Sequence, residues 1–185
     1  MKLNNKGQSA IEILICFTIV SIISISLFNL VMSYKNKQQI ESTRAQVINY
    51  KNDVTTAIQS DMVKYFLDNV TCGSPVKKTI DGISVDSEYS CTLTFRGTGG
   101  TRNLFVSIAD NYISYSEPNG KVVKFTLPDI GEVKENGVTT KALKISRVDI
   151  DSNNYFFNFN VYFYHHELGS KYGIFIKAPI GYENK

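Results

Sequence analysis

Residues 13–32 carry no charge and read Ile-Leu-Ile-Cys-Phe-Thr-Ile-Val-Ser-Ile-Ile-Ser-Ile-Ser-Leu-Phe-Asn-Leu-Val-Met. Coiled as an α-helix at about 1.5 Å per residue, this run is about 30 Å long, the thickness of a bilayer's hydrocarbon core. Ser21, Ser24 and Ser26 can return their hydroxyls to the helix backbone, so they are compatible with a span. Beyond it the pattern becomes amphipathic. Ile40, Val47, Val54, Ile58, Met62 and Phe66 recur at spacings of seven and four, and Val63, Leu67 and Val70 widen the stripe. Lys35, Lys37, Glu41, Arg44, Lys51 and Asp53 take other positions. No Gly or Pro occurs in the 65 residues between Gly7 and Gly73. This predicts one helix over about 9–70, roughly 90 Å long. A span, a short linker and a separate amphipathic helix are the alternative.

Thr71-Cys72-Gly73-Ser74-Pro75 stops the helical pattern. Strand patterns follow. Tyr89, Cys91, Leu93 and Phe95 alternate with Ser90, Thr92, Thr94 and Arg96. Gly97-Thr98-Gly99-Gly100 predicts a turn. Leu104, Val106 and Ile108 mark the next strand, and Tyr112 to Tyr115 a short one. Pro118-Asn119-Gly120 is a hairpin signal, with Val123, Phe125 and Leu127 on one face beyond it. Residues 142–150 have a mixed pattern. Phe157, Phe159, Val161 and Phe163 alternate cleanly with Asn158, Asn160, Tyr162 and Tyr164, and 172–178 closes the set. Strands joined by short turns predict an antiparallel meander packed on the helix stripe of residues 40–70, an α+β fold.

Composition agrees with a packed domain: 43% of residues are hydrophobic and 20% charged. The formal charge of +3 gives no footprint for DNA or anionic lipid. Lys2 and Lys6 precede the apolar run, which predicts a cytoplasmic N-terminus and an extracytoplasmic remainder after about residue 34. Of three cysteines, Cys16 lies in the apolar run, and Cys72 and Cys91 are 19 positions apart. In a cytosolic protein all three would be reduced thiols; in an exported domain Cys72 and Cys91 can pair.

An ordinary signal peptide needs a shorter apolar core and a small-x-small cleavage site. Ser-Tyr-Lys-Asn-Lys follows Met32 instead, and Ser24-Ile25-Ser26 sits inside the run. A plain anchor leaves Glu12 unexplained, because a lone carboxylate at the mouth of an apolar segment implies a partner or a function. Lys6-Gly7-Gln8-Ser9-Ala10-Ile11-Glu12 and the apolar run after it resemble the class III leader of type IV prepilins. That resemblance implies cleavage by a prepilin peptidase between Gly7 and Gln8. Glu12 then becomes the fifth residue of the mature chain and contacts the new amine of a neighbouring subunit's Gln8. Many bacterial pilins begin with Phe or Met here; Gln resembles archaeal pilins and some non-standard bacterial minor pilins. The implied architecture is a leader (1–7), a transmembrane and assembly half-helix (8–34), an amphipathic half (35–72) and an antiparallel β-sheet domain (73–185). Gln59-Ser60-Asp61-Met62 and the closing strand pair are faintly similar to the larger minor pseudopilins.

Other chemistry is sparse. His165 and His166, with Glu167, are adjacent at a strand end and read as surface residues rather than a metal site. Asp149 and Asp151 lack the remainder of a calcium loop and read as solvent-facing. Lys77, Lys78, Arg96 and Arg102 could cluster near loop ends and touch DNA, but acids are mixed among them. Tyr112, Tyr115, Tyr162 and Tyr164 could form a polar-aromatic face, or be ordinary sheet surface. No nucleophile motif is present, so the reading is no enzyme, no metal and no cofactor. The expectation is a minor pilin or pseudopilin: a single-pass membrane protein with an extracytoplasmic domain, then part of a surface filament. Its implied partners are other pilin subunits, a prepilin peptidase, an assembly ATPase and a platform protein. The alternative is a permanently anchored extracytoplasmic binding domain.

Overall fold

The computed structural model describes residues 5–80, 83–117, 119–135, 137–153 and 155–181; for residues 5–9 and for Ile80, Ile83, Glu135 and Val138 only the backbone is described. Residues 1–4 of the expected leader and Pro118 of the hairpin signal lie outside them. The chain divides into two compact units, Met1–Ser42 and Thr43–Lys185.

The first unit is helical. Helix α1 (Asn5–Lys64) runs through it without a break, as the absence of Gly and Pro after Gly7 allows. Its apolar side chains from Ile11 to Val31 are all exposed. Three of its hydroxyls bond back to the helix: Ser21 Oγ donates to Phe17 O at 2.8 Å and Ser26 Oγ to Ile22 O at 2.9 Å. Thr18 Oγ1 donates to Ile15 O at 2.8 Å. Each of these three hydroxyls thereby consumes its own donor on the helix. This is the one described helix long and apolar enough to cross a membrane.

The second unit begins with the end of α1. Val47, Tyr50, Val54 and Ile58 are buried, so the spacing of seven and four marks the core-facing stripe. The helix stops earlier than the sequence predicts. Tyr65 N still donates to Asp61 O at 2.9 Å, but Phe66 has φ 33°, a left-handed value that breaks the helical path. Residues 67–72, expected at the end of the helix, form strand β1 (Leu67–Cys72). Leu67 and Val70 suit both patterns, and the turn at Phe66 decides between them.

Ten further strands follow: β2 (Val76–Ile80), β3 (Ile83–Phe95), β4 (Gly100–Ser107), β5 (Tyr112–Ser116), β6 (Val122–Thr126), β7 (Glu132–Glu135), β8 (Val138–Lys141), β9 (Leu143–Ser152), β10 (Phe156–His165) and β11 (Gly173–Pro179). All pairings are antiparallel, but they form three sheets rather than one meander. One has the order β1-β3-β4-β5-β6 with β2 on β3, one is β11-β10-β9, and β7 pairs with β8. The two larger sheets share a core. Leu93, Leu104, Val106 and Ile113 from the first meet Phe157, Phe159, Val161 and Ile174 from the second, together with the α1 stripe. On β10 the odd-numbered residues Phe157 to His165 are buried and the even-numbered ones are not, the alternation a half-buried strand demands. Cys72 and Cys91 are register partners across β1 and β3 and form a disulfide. The end of the last strand is tied to the first: Gly181 N, just past β11, donates to Leu67 O at 3.0 Å.

Candidate functional site

The residues singled out near the N-terminus all lie on α1. Gly7 and Gln8 are in its first turns, where the backbone alone is described. Glu12, Ile13, Cys16, Phe17 and Val20 line one groove on the helix surface. Offsets of one, four, five and eight from Glu12 place them on a single face. Glu12 is the acid of that face, and four uncharged, largely apolar residues surround it. Chemically this is an apolar strip that carries one carboxylate.

A second constellation joins the end of α1 to the first sheet. Arg102 on β4 is 1% exposed. Its Nε donates to Asp61 Oδ2 at 2.9 Å and its Nη1 to Gly99 O at 2.6 Å. Tyr115 OH on β5 donates to the same Asp61 oxygen at 3.1 Å. Burial, then the Asp61 charge, pushes the Tyr115 phenol well above its ordinary value. The guanidinium also lies over the rings of Phe95 and Tyr65 at 5.6 and 5.9 Å. Gly99 makes this approach possible: a Cβ there would sit 2.6 Å from Phe95 Cβ and 2.8 Å from Tyr65 Cβ. Arg102 Nη2 is buried without a partner. The arrangement is a structural clamp with no open face for a substrate. Sequence reasoning placed Arg102 at a loop end and Tyr115 on a surface; both are buried. The available signal was Asp61 itself, three residues after core residue Ile58 and thus close to the buried stripe.

A third place is open. A cleft of about 340 Å³ lies between the two larger sheets, lined by Cys72, Gly73 and Pro75, by Tyr89 to Cys91, and by Val148 to Asp151 with Asn160. Burial, then Asp86 and Asp149, raises the Tyr89 phenol. Asp149 is held by Arg147, whose Nε lies 2.7 Å from Oδ1, while Asp151 is exposed. Next to this cleft, Asp68 to Val70, Ser152, Asn153, Ile180 and Gly181 line another of about 310 Å³.

The remaining candidates separate. His165 is 3% exposed, a correction to its reading as a surface residue; it is the last inward position of β10. The strand ends there, so His166 turns back and the two rings lie 4.6 Å apart instead of on opposite faces. Among the described residues no three His, Cys, Asp or Glu side chains gather as a metal site. The four cations do not converge: Lys77 pairs with Asp86, Lys78 with Glu88, Arg96 with Asp68 and Arg102 with Asp61. Tyr162 stacks edge-on with Phe175 at 5.3 Å, whereas Tyr112 sits against Phe105 at 5.7 Å on another sheet. The four tyrosines therefore make no common face. No family model, curated protein or solved structure matches the chain.

Proposed function

We propose that this chain is a structural subunit of a type IV pilus-like or pseudopilus filament, a minor pilin or pseudopilin without catalysis. The observation that carries the reading is the unbroken apolar helix with Glu12 at its entrance, continuous with an α+β domain. A prepilin peptidase cuts between Gly7 and Gln8. Before assembly residues 8–34 hold the subunit in the membrane, with the domain outside the cytoplasm. In the filament the same residues pack against copies of themselves. There Glu12 neutralises the free amine of a neighbour's Gln8, because a carboxylate and an ammonium in an apolar core each need the other. Leaving the bilayer takes external work, which an assembly ATPase and a platform protein supply. The Cys72–Cys91 disulfide supports the extracytoplasmic placement, since such bonds persist in oxidising compartments.

The test is the mass of the N-terminal peptide from cells with and without their prepilin peptidase. A chain starting at Gln8 only when the peptidase is present is the expected result. An intact Met1, or a cut beyond residue 24 that needs no peptidase, would sink the reading. Glu12→Ala separates it from a permanently anchored binding domain: filaments should fail while the domain stays membrane-bound. An anchored domain would show no dependence on Glu12.

A further inference from the structure

The cleft between the two larger sheets is walled by two strand edges that face each other without pairing. Gly73 N donates to Ser90 O at 3.0 Å. Alternation along this ladder turns the backbone of Asn69 and Thr71 toward β3 and leaves the N–H and C=O groups of Val70 and Cys72 on the opposite edge. On β9, Asn153 N donates to Phe156 O at 3.0 Å. By the same alternation Arg147, Asp149 and Asp151 bond to β10, and the backbone groups of Val148, Ile150 and Ser152 point away from it. Each strand is thus the terminal strand of its sheet, and among the described residues no hydrogen bond joins one to the other. The two cavities lie end to end along these edges, in antiparallel order: 68–70 opposite 152–153, then 72–73 opposite 148–151.

Free main-chain groups repeating every second residue are the recognition surface that another strand reads. The side chains add a charge preference. Tyr89, Ser90 and Asn160 are uncharged, Arg147 offsets Asp149, and Asp151 is the acid of the cleft without a cation partner among the described residues. A carboxylate there disfavours a polyanion and favours a cation. A volume of about 340 Å³ lies in the usual range for ligand sites. We propose that this cleft binds an extended peptide of a partner protein, whose backbone adds to the free edge of β9 and whose lysine or arginine sits beside Asp151. The site does not depend on filament assembly, so it stands or falls separately from the function proposed above.

The test uses the full chain in detergent micelles and three fluorescein-labelled hexapeptides, read by fluorescence anisotropy. The first alternates threonine and lysine. The second has the same sequence with alternate backbone nitrogens methylated, which removes ladder donors. The third carries glutamate in place of lysine. The first peptide is expected to bind, and the other two at least 10-fold more weakly. Asp151→Lys should weaken the first peptide at least 10-fold with an unchanged unfolding midpoint, and the amides of Val148 and Ile150 should gain exchange protection on binding. No binding at millimolar peptide overturns the proposal, as does equal binding of the methylated or glutamate peptide.

Discussion

Arg102 is the residue whose loss the second unit should feel most. Arg102→Leu leaves the Asp61 carboxylate, itself only 16% exposed, with a tyrosine hydroxyl as its remaining donor. Stripping one partner from a buried pair costs about 3–5 kcal/mol, and urea unfolding of the variant should show a loss of that size. Asp61→Leu added to Arg102→Leu should recover part of it, since no lone buried charge remains. His165 sets a pH dependence. Burial, then the neighbouring His166, lowers its affinity for a proton below the ordinary value of 6.5, and its Nδ1 accepts from Glu167 N at 3.2 Å. The folded state therefore binds this proton less readily than the unfolded chain does. The stability contribution is complete above pH 6.5 and is lost as pH falls through the interval between 6.5 and the lower folded-state value. Thermal unfolding midpoints at successive pH values should drop below about pH 6.5, and His165→Gln should flatten that drop.

The elements show how far a pattern can be read. Ile58 is 0% exposed and Val63 is 79% exposed, though both fit the apolar stripe by type. Ile58→Ala should cost about 2–5 kcal/mol, while Val63→Ala should stay within about 0.5 kcal/mol; denaturant midpoints will tell them apart. Val63 lies five residues, about 140° around the helix, beyond Ile58, whereas Met62, four residues beyond it, still packs on the core. The end of α1 was hidden: Phe66 takes a positive φ with no glycine to announce it, and Leu67 and Val70 continue the helical spacing into a strand. Strands β3 and β10 were legible because one face of each is buried and every second residue records it. Strands β2, β7 and β8 are short and polar, with little or no core face, so alternation had nothing to mark. The clamp at Arg102 was invisible for a related reason. Charge predicts exposure, and only the fold reveals that an acid from α1 waits beside it. The cleft escaped reading because unpaired backbone leaves no trace in residue types.

For the molecule as a whole, the disulfide closes a loop whose ends are 19 residues apart. The chain-entropy relation assigns it roughly 3 kcal/mol. Reduction, or Cys72→Ser with Cys91→Ser, should lower the thermal midpoint accordingly, measured with and without reductant. The bond ties β1 to β3, early in the chain. The tie between Gly181 and Leu67, described above, reaches across every strand from β1 to β11. Its consequence lies in time rather than in space. Strand β11 leaves the ribosome after strands β1 to β10, and until it arrives β10 lacks one neighbour and its row of phenylalanines lacks Ile174, Ile176 and Ala178. Contacts this distant in sequence form late and slowly. A nascent chain halted before residue 173 therefore presents an unfinished, sticky edge, the kind of surface that holding chaperones exist to cover.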